Sequence, residues 1–386
     1  MTSSTGLVVH ERYFWHDTGS GAGFSSTNAY MQPDRHPESP DTKRRLLGLL
    51  EVSGLTDHLA RIKPRPAERS ELEYFHSARY VDSVIAMSAA GGGALGDSVQ
   101  IGAGSYEIAL LSAGGCIEAV DAVLAGKVKN AYALVRPPGH HAEADAGRGY
   151  CVFGNAVLLI RHAQRVHGLN RIAVVDWDVH HGNGTESAFI DDPTVLTLSI
   201  HQDHCYPIDA GSMDVTGNGA AAGTNLNIPL PAGAGHGAYL ATFDRVILPA
   251  LHRFRPELIV VASGLDASAM DPLGRMLCTS ETYRAMAARI VGAARDLCGG
   301  RLVATHEGGY SNAYAPFCGL PILEEFSGIR TSVVDPYLEE LMHMGGQSLM
   351  PHQGSIIDTA AELVKRIPGA ASQSKSRRGS RPDSLL

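Results

Sequence analysis

Residues 172–184 read IAVVDWDVHHGNG, an apolar run that ends abruptly in acids, histidines and glycines. Uninterrupted apolar runs rich in Val and Ile are typical of strands that are buried on both faces of a parallel sheet. Similar runs at 132–135, 195–198, 258–262 and 302–304 also lead into polar clusters. In open α/β sheets, ligands bind beyond the carboxyl ends of the strands, so we expect these clusters to form one site.

Apolar residues between these runs recur at intervals of three and four. This spacing predicts amphipathic helices over 239–254 and 283–297. Strands that alternate with such helices imply right-handed crossovers and an α/β fold. No Pro/Gly/Ser-rich or charge-rich linker interrupts residues 5–350. We therefore predict one domain over residues 1–368, with a central, mainly parallel sheet flanked by helices and an active site at the carboxyl ends of the strands.

The composition is that of a globular enzyme. A formal charge of -8 over 386 residues gives no footprint for nucleic acid or an anionic membrane. No apolar stretch suits a signal peptide or a membrane span, so we predict a cytoplasmic protein. The six cysteines form no C-x-x-C pair and are expected to be free thiols. Residues 369–386 are poor in apolar side chains and carry four cations, which predicts a disordered basic tail.

The segment 176–180 offers metal ligands. Alternate residues of an extended segment project to the same side, so Asp178 and His180 can bind one ion while Asp176 serves a second role. Asp266 follows another predicted strand and supplies a third ligand. Two carboxylates and one imidazole leave a fourth position open, as in catalytic zinc sites, where the ion polarises a carbonyl and acidifies water. This set predicts hydrolysis.

Two further clusters supply proton carriers. His140 and His141 follow a stiff Pro-Pro-Gly turn, and one of them can take a proton from water. Tyr310 ends a Glu-Gly-Gly-Tyr turn, from which a phenol can donate a hydrogen bond to an oxyanion. Each feature alone is an ordinary loop. Beside a metal motif at the same sheet edge, both favour catalysis.

The four segments RPPGHHA, DWDVHHGNG, SGLDAS and HEGGYS, in this order, resemble the motifs of the zinc-dependent histone deacetylase family, which has the arginase and deacetylase fold. The resemblance extends from about residue 7 to about residue 335. It is closest to the class II branch and its bacterial histone deacetylase-like amidohydrolases, as Asn183 and the segment HPESPDTKRR from His36 indicate. It implies removal of an acetyl or other short acyl group from an acylated amine such as acetyl-lysine.

The resemblance gives roles to residues at matching positions. The implied zinc ligands are Asp178, His180 and Asp266. Tyr310 would stabilise the oxyanion, His141, oriented by Asn183, would be the general base and later the acid, and His140 would be oriented by Asp176. A neutral amide cannot raise an imidazole pKa by charge as a carboxylate does. His141 is therefore more readily the neutral, proton-accepting member of the pair.

The resemblance also implies potassium beside the zinc. The ligands of this ion would be the side chains of Asp176 and Ser199 and backbone carbonyls that include those of Asp178 and His180. A second, outer potassium site would lie near three residues, namely Phe189, Asp192 and Val195. Relatives in this branch are often homodimers or homotetramers, and we predict such an assembly here.

Several positions near the expected substrate depart from the family pattern. The predicted substrate-binding residues are Gly149, Tyr150, Leu265 and Gly308. Tyr150 replaces a tunnel-wall phenylalanine, and its hydroxyl could bond a polar acyl chain or simply reach water. Leu265 stands where an aromatic residue is common, and Gly154 removes a side chain, so both could widen the acyl end.

Alternatives to an acyl-lysine hydrolase stay open. Glu143 and Asp145 could attract a cationic substrate or form a solvated acidic loop. An acetylpolyamine amidohydrolase is the nearest rival, followed by a hydrolase of other small or foreign amides. An arginase-like two-metal enzyme would need an aspartate two residues after Asp266, where Ser268 stands. A catalytically silent binder of acylated ligands is disfavoured, because a binder needs no proton shuttle.

Overall fold

An eight-stranded parallel sheet lies at the centre of the computed structural model, which describes residues 4–21 and 28–369. The strands of these residues are β1 (Thr5–Val8), β2 (Ser20–Gly21), β3 (Asp34–Arg35), β4 (Leu59–Ile62), β5 (Gly92–Asp97), β6 (Val99–Gly102), β7 (Asn130–Ala133), β8 (Gly147–Arg148), β9 (Ile172–Asp176), β10 (Val195–Gln202), β11 (Asn225–Leu230), β12 (Leu258–Ser263) and β13 (Leu302–His306). The order in the large sheet is β11-β10-β9-β12-β13-β7-β1-β4. The predicted central parallel sheet is confirmed, whereas the predicted tail, apart from Gly369, lies outside the described residues.

Helices flank this sheet. They are α1 (Asp41–Val52), α2 (Arg69–Leu72), α3 (Ala78–Ala89), α4 (Ser105–Leu124), α5 (Asn155–His167), α6 (Asn183–Phe189), α7 (His236–Thr242), α8 (Leu248–Phe254), α9 (Ser280–Cys298), α10 (Ala315–Ser327), α11 (Leu338–His343) and α12 (Pro351–Val364). The buried faces of α4 and α5 pack against each other and against the sheet. The buried faces of α9 and α10 do the same. Within the described ranges, no helix combines the length and the apolar character that crossing a membrane requires.

The strands form where the apolar runs predict them, with shifts at their ends. Every residue of β9 is buried, which is why its sequence is apolar without alternation. β7 begins at Asn130, two residues before the run at 132–135. The buried Asn130 side chain donates a hydrogen bond to the Phe326 carbonyl (3.0 Å), so this polar residue fits the core. The apolar pattern alone misses such a strand start.

The predicted helix over 239–254 is longer and less regular than expected. It consists of α7, a π-helical segment (Phe243–Ile247) and α8 in direct succession. Pro249 has no amide N–H with which to donate to the carbonyl of residue 245, so the regular α-helical pattern is interrupted here. The second predicted helix, over 283–297, is α9, which starts earlier, at Ser280.

The strand order places the expected site. After β9, the chain adds β10 and then β11 towards one edge, and it returns to form β12 on the other side of β9. The connections of β9 and β12 therefore leave in opposite directions and open a crevice at the carboxyl ends of the two strands. Asp178 follows β9 and Asp266 follows β12. The topology thus brings together ligands that are far apart in sequence.

A buried imidazole, that of His76, fastens the loop before α5 to the segment between α2 and α3. Its Nδ1 donates to the Glu143 carbonyl (3.0 Å), and its Nε2 accepts from the Gly154 amide (2.9 Å). This pattern requires the neutral ring. Burial accordingly lowers the pKa of His76 from 6.5 to about 4.

Stability is expected to fall as the pH drops from 7 to 4, in part through His76. Below pH 6.5 the His76 imidazole is protonated in the unfolded chain, but in the folded chain it stays neutral down to about pH 4. This difference lowers the free energy of unfolding by about 2 kcal/mol at pH 5. Urea unfolding at several pH values measures this slope. His76→Gln should flatten it, whereas His58→Gln, at an exposed position, should leave it unchanged. Equal slopes in wild type and His76→Gln would contradict the prediction.

Candidate active site

Asp178, His180 and Asp266 meet in the crevice. Their ligand atoms all lie within 4.8 Å of one another, and all three residues are buried. His180 Nδ1 is 3.0 Å from Asp178 Oδ1 and 3.2 Å from Asp266 Oδ2. Asp266 Oδ2 is buried yet accepts no hydrogen bond. An acceptor left in this way, beside a second carboxylate and an imidazole, fits a bound cation.

The local backbone differs from the extended segment that the sequence suggested. Beyond Asp176 the chain bends, and the side chains of Asp176 and Asp178 each accept a hydrogen bond from the amide two residues ahead. These are Asx turns, in which a short carboxylate bonds its own backbone. The turns, and not strand alternation, bring Asp178 and His180 to one side.

Backbone amides orient the two carboxylates. Val179 N donates to Asp266 Oδ1 (2.9 Å), and Gly308 N donates to Asp178 Oδ2 (2.8 Å). A β-carbon on Gly308 would lie 2.1 Å from Asp266 Oδ2, so only glycine fits here. Burial and the neighbouring charge of Asp178 raise the pKa of Asp266 to about 7. A divalent cation would relieve this repulsion, and the mixed nitrogen and oxygen donors suit zinc.

The paired histidines differ in their partners. His140 Nδ1 is 3.0 Å from Asp176 Oδ2, whereas His141 Nδ1 is 2.7 Å from Asn183 Oδ1. Burial opposes a charge on His140, but the carboxylates of Asp178 and Asp176 outweigh it and raise the pKa of His140 to about 10. Burial, followed by the positive charge of His140, lowers the pKa of His141 well below its usual value. One imidazole is therefore charged and the other neutral.

The orientation of the Asn183 amide fixes the tautomer of His141. Asn183 Nδ2 donates to Glu143 Oε1 (2.7 Å), so Asn183 Oδ1 must face His141. His141 Nδ1 then carries the proton and donates it to that oxygen, which leaves Nε2 as an acceptor. Glu143 also binds Arg148 (3.0 Å). This glutamate holds the neighbouring side chains and is not a free charge at the site mouth.

A cavity of about 280 Å³ opens beside these residues. His141, His180 and Tyr310 line it together with the predicted Gly149 and Tyr150. A β-carbon on Gly149, whose φ is +50°, would lie 2.3 Å from the His141 ring, so the wall needs glycine at this point. The lining residues do not include Gly154, Leu265 or Gly308.

Gly308 contacts the carboxylates of Asp178 and Asp266, whereas Gly154 and Leu265 have other neighbours. Gly154 caps α5 and donates to His76, and a β-carbon there would be 3.4 Å from the Phe75 ring. Leu265 is 1% exposed and packs against Gly309. Neither Leu265 nor Gly154 lines the cavity, so no direct contact supports the interpretation that these residues widen its acyl end. Asp145 is also engaged elsewhere, with Ser77 and Arg79.

Tyr310 stands on the turn after β13. Its amide donates to Asp271 Oδ2 (2.7 Å), and its ring meets those of Tyr150 and His180 edge-on, with centroids 5.8 and 6.5 Å away. Lys43 Nζ lies 5.9 Å from the centre of the Tyr310 ring. The phenol thus shares the cavity with the His180 imidazole.

The two side chains predicted to hold potassium lie at the end of β9 and on the neighbouring strand β10. Ser199 pairs with Asp176 across β9 and β10, and its hydroxyl is 2.9 Å from His201 Nδ1. The residues of the predicted outer site, Phe189, Asp192 and Val195, lie at the end of α6, in the following loop and at the start of β10. Both potassium sites stay predictions.

Comparison with known proteins gives this arrangement a family. The profile of the histone deacetylase domain matches residues 36–319. The chain belongs to the histone deacetylase family. It is 50% identical over 339 residues to the histone deacetylase-like amidohydrolase of Pseudomonas aeruginosa, a match that covers 87% of this chain and 89% of that protein. The predicted family and enzyme class are thereby confirmed.

More distant members of the histone deacetylase family are also similar. The polyamine deacetylase HDAC10 of Homo sapiens is 37% identical over 322 residues, which span 79% of this chain and 45% of that protein. The solved structure of the HDA15 HD domain matches with a TM-score of 0.82 and 28% identity, over 98% of this chain and 99% of that one. The fold predicted from the motifs is confirmed.

Sequence reasoning missed several residues of this site. Glu307 Oε2 accepts from the amides of Gly139 and His140 (2.7 and 3.1 Å), so it ties two motifs together. Tyr206 lies edge-on to His141, with ring centroids 4.9 Å apart, and donates to Asp97 Oδ2 (2.8 Å). Only the position of Glu307, between a buried strand and two glycines, could have signalled its role.

A buried ion cluster supports the site from the N-terminal side. Glu38, Lys43 and Arg136 are each at most 1% exposed, with Lys43 Nζ and Arg136 Nε both 2.9 Å from the Glu38 carboxylate. Despite the cost of burial, the charges of Arg136 and Lys43 lower the pKa of Glu38 to about 2. Arg136 immediately precedes the turn that carries the paired histidines. The cluster thus fixes one end of that turn.

Proposed function

We propose that the protein is a zinc-dependent amidohydrolase that removes an acetyl or other short acyl group from an acylated amine such as acetyl-lysine. The observation that carries this proposal is the buried set Asp178, His180 and Asp266, which includes an unpartnered carboxylate oxygen and adjoins the cavity. The neutral His141 lines the same cavity, and the charged His140 ring lies beside it, with ring centroids 3.9 Å apart. This combination is what the hydrolysis of an unactivated amide requires.

The zinc ligands would be Asp178 Oδ1 or Oδ2, His180 Nδ1 and Asp266 Oδ2. When bound there, zinc supplies a Lewis acid that polarises the acyl carbonyl and acidifies the attacking water. The chain itself contributes orientation, because the amide of Val179 holds one oxygen of Asp266 and the amide of Gly308 holds one oxygen of Asp178. Such outer partners keep ligands in place.

His141 would move the protons. Its Nε2 accepts the proton of the attacking water, since Asn183 holds the other nitrogen in the protonated form. The same Nε2 then returns the proton to the leaving amine, which departs as a neutral amine. His140, held by Asp176, stays charged and stabilises negative charge as it develops on the acyl oxygen. Tyr310 would donate a hydrogen bond from its hydroxyl group to that oxygen.

An acetylpolyamine is the second candidate substrate. Asp97, whose side chain is 53% exposed, lines the cavity, and its carboxylate, 3.8 Å from Arg148, would bind the distant ammonium of such a substrate. A relative named as a polyamine deacetylase is consistent with this choice. Comparison of kcat/KM for acetylputrescine and an acetyl-lysine peptide decides between the two.

The proposal is tested on protein stripped of metal and reconstituted with zinc. A panel of acyl-lysine peptides, acylpolyamines and small amides is incubated with it, and the amine and carboxylate products are identified by mass spectrometry. We expect zinc-dependent release of both products. No turnover on the panel, despite stoichiometric zinc, would instead favour a silent binder of acylated ligands.

Glu143→Gln is expected to lower kcat/KM by roughly tenfold, and equally for cationic and neutral substrates. The reason is that Glu143 orients Asn183, whereas its charge is already paired with Arg148. Rates on acetylputrescine and on an uncharged N-acetylalkylamine measure this. Asp145→Asn is the control and should change neither rate. A loss confined to acetylputrescine would show that Glu143 attracts cations after all.

We further propose potassium at Asp176 and Ser199, a homodimeric or homotetrameric assembly, and a cytoplasmic location. Support for the potassium site is the pairing of these two residues beside a zinc ligand loop. Exchange of potassium for sodium during the assay tests the ion, and light scattering after size-exclusion chromatography tests the assembly. These three statements stay predictions.

A further inference from the structure

Two helices outside the active site carry a second group of metal-ligand side chains. Asp121 lies near the end of α4, and His162 and His167 lie near the end of α5. Asp121 Oδ1 is 2.9 Å from His162 Nε2 and 2.6 Å from His167 Nε2. The ligand atoms of this cluster lie within 4.8 Å of one another, and none of its residues belongs to the catalytic set.

The hydrogen bonds of His162 leave one nitrogen unsatisfied. The residue is 5% exposed, and its buried Nδ1 has no hydrogen-bond partner. If Nε2 carries the proton and donates to Asp121, Nδ1 is a bare acceptor that faces Glu71 Oε1 at 3.6 Å. Two acceptors then oppose each other in a buried place. Glu71 cannot turn away, because Arg65 holds both of its oxygens (2.6 and 2.7 Å).

A metal ion at Nε2 would remove this conflict. A metal-bound imidazole carries its proton on the other nitrogen and donates it to a carboxylate or carbonyl, which fixes the ring. Here that proton would lie on His162 Nδ1, directed at Glu71 Oε1. The Glu71 carboxylate, held in place by Arg65, would then accept this proton in a hydrogen bond and fix the His162 ring. The arrangement matches a metal-bound histidine better than a metal-free neutral one.

We propose that Asp121, His162 and His167 form a second binding site for a divalent transition metal ion of the zinc class, independent of the proposed catalytic zinc. Two imidazoles and one carboxylate favour Zn²⁺, Co²⁺, Ni²⁺ or Cu²⁺ over Mg²⁺ or Ca²⁺. Ligand atoms around tetrahedral zinc are about 3.3 Å apart, so Asp121 Oδ1 needs to move away from each imidazole nitrogen by less than about 1 Å. Their side chains are 33% and 28% exposed, which leaves access for the ion and a water ligand.

The site would join the two helices that hold the turn before the catalytic histidines. Ser112 of α4 and Asn155 of α5 both donate to the Pro137 carbonyl, at 2.9 and 3.0 Å. A metal at the far ends of α4 and α5 would cross-link this pair. Ions that bind only the folded chain raise its stability by mass action. Occupancy is therefore expected to raise the Tm.

Zinc stoichiometry tests the proposal. The full chain is equilibrated with buffered free Zn²⁺, separated from unbound metal, and analysed by inductively coupled plasma mass spectrometry. We expect two zinc ions per wild-type chain and one in His167→Ala, whose deacylation rate should be unchanged. Asp121→Asn should also retain one. His58→Ala, which removes an exposed histidine elsewhere, is the matched control and should retain two.

A second readout follows stability. Relative to the metal-free proteins, Zn²⁺ should raise the Tm of wild type and of His58→Ala by more than that of His167→Ala, which lacks the site between α4 and α5. Asp266→Asn separates the two sites, because it should lose the catalytic ion and keep the ion between α4 and α5. Equal stoichiometry in wild type and His167→Ala would overturn the inference, whatever the number of ions per chain. If the proposed catalytic site bound no zinc, wild type would hold one ion and His167→Ala none, so the two proteins would still differ by one ion.

Discussion

Replacing Tyr310 by phenylalanine is expected to lower kcat by roughly a hundred- to a thousandfold while zinc stays bound. The hydroxyl lies on a ring that shares the cavity with His180, and the turn is anchored by the bond from the Tyr310 amide to Asp271. Burial raises the pKa of the Tyr310 phenol well above its usual value, so the hydroxyl keeps its proton and can donate it in a hydrogen bond. Substrate affinity should change little, because the bond strengthens only as charge develops.

Tyr150→Phe is the matched control for this substitution. Tyr150 lines the same cavity and meets the Tyr310 ring edge-on, but its hydroxyl has no assigned part in the reaction. Steady-state kinetics on one acetyl-lysine peptide, with zinc content measured on each preparation, compares the two variants. We expect Tyr150→Phe to stay near the wild-type rate. Similar losses in both variants would assign the effect to cavity packing and remove the oxyanion role from Tyr310.

The fold could be predicted because its strands are buried on both faces. Burial of this kind leaves uninterrupted runs such as 172–175 and 258–262, and each run points to a polar cluster at one sheet edge. Asp176 and Asn183 could be linked to the two histidines only through the family motifs, since these pairs are 36 and 42 residues apart in sequence. The catalytic roles could thus be predicted because they lie in short segments whose order along the chain is that of a known family.

The remaining features depend on packing between distant segments. Glu143 reads as a surface acid in the sequence, yet it lies against Asn183 and fixes an amide orientation. Leu265 immediately precedes Asp266 within the SGLDAS motif, but its side chain turns into the core. Tyr206 and Asp97 belong to no motif and meet only in the folded chain. No local pattern reports such contacts, because their partners are set by the topology.

The substitution Asp266→Asn is expected to abolish zinc binding at the proposed catalytic site and to lower kcat by more than roughly a thousandfold. It removes a ligand, whereas loss of a ligand's outer partner alone costs about 10- to 100-fold. The amide keeps the shape of the side chain, and its oxygen can still accept from Val179 N. The metal-free variant should also be more stable than the metal-free wild type at neutral pH, because it lacks the buried charge beside Asp178.

The pH dependence of the metal-free proteins distinguishes this effect from ordinary damage. The pKa of Asp266 rises from 3.8 to about 7 on folding, so below pH 3.8 its contribution to stability is intact, and it is lost as the pH rises through 7. The wild type should therefore lose unfolding free energy relative to Asp266→Asn between pH 4 and 7, as measured by urea unfolding in a chelator. Zinc should reverse the order, because the ion needs the ionised carboxylate. A metal-free variant that is less stable than the wild type at every pH would refute the buried repulsion and leave zinc binding to be tested separately.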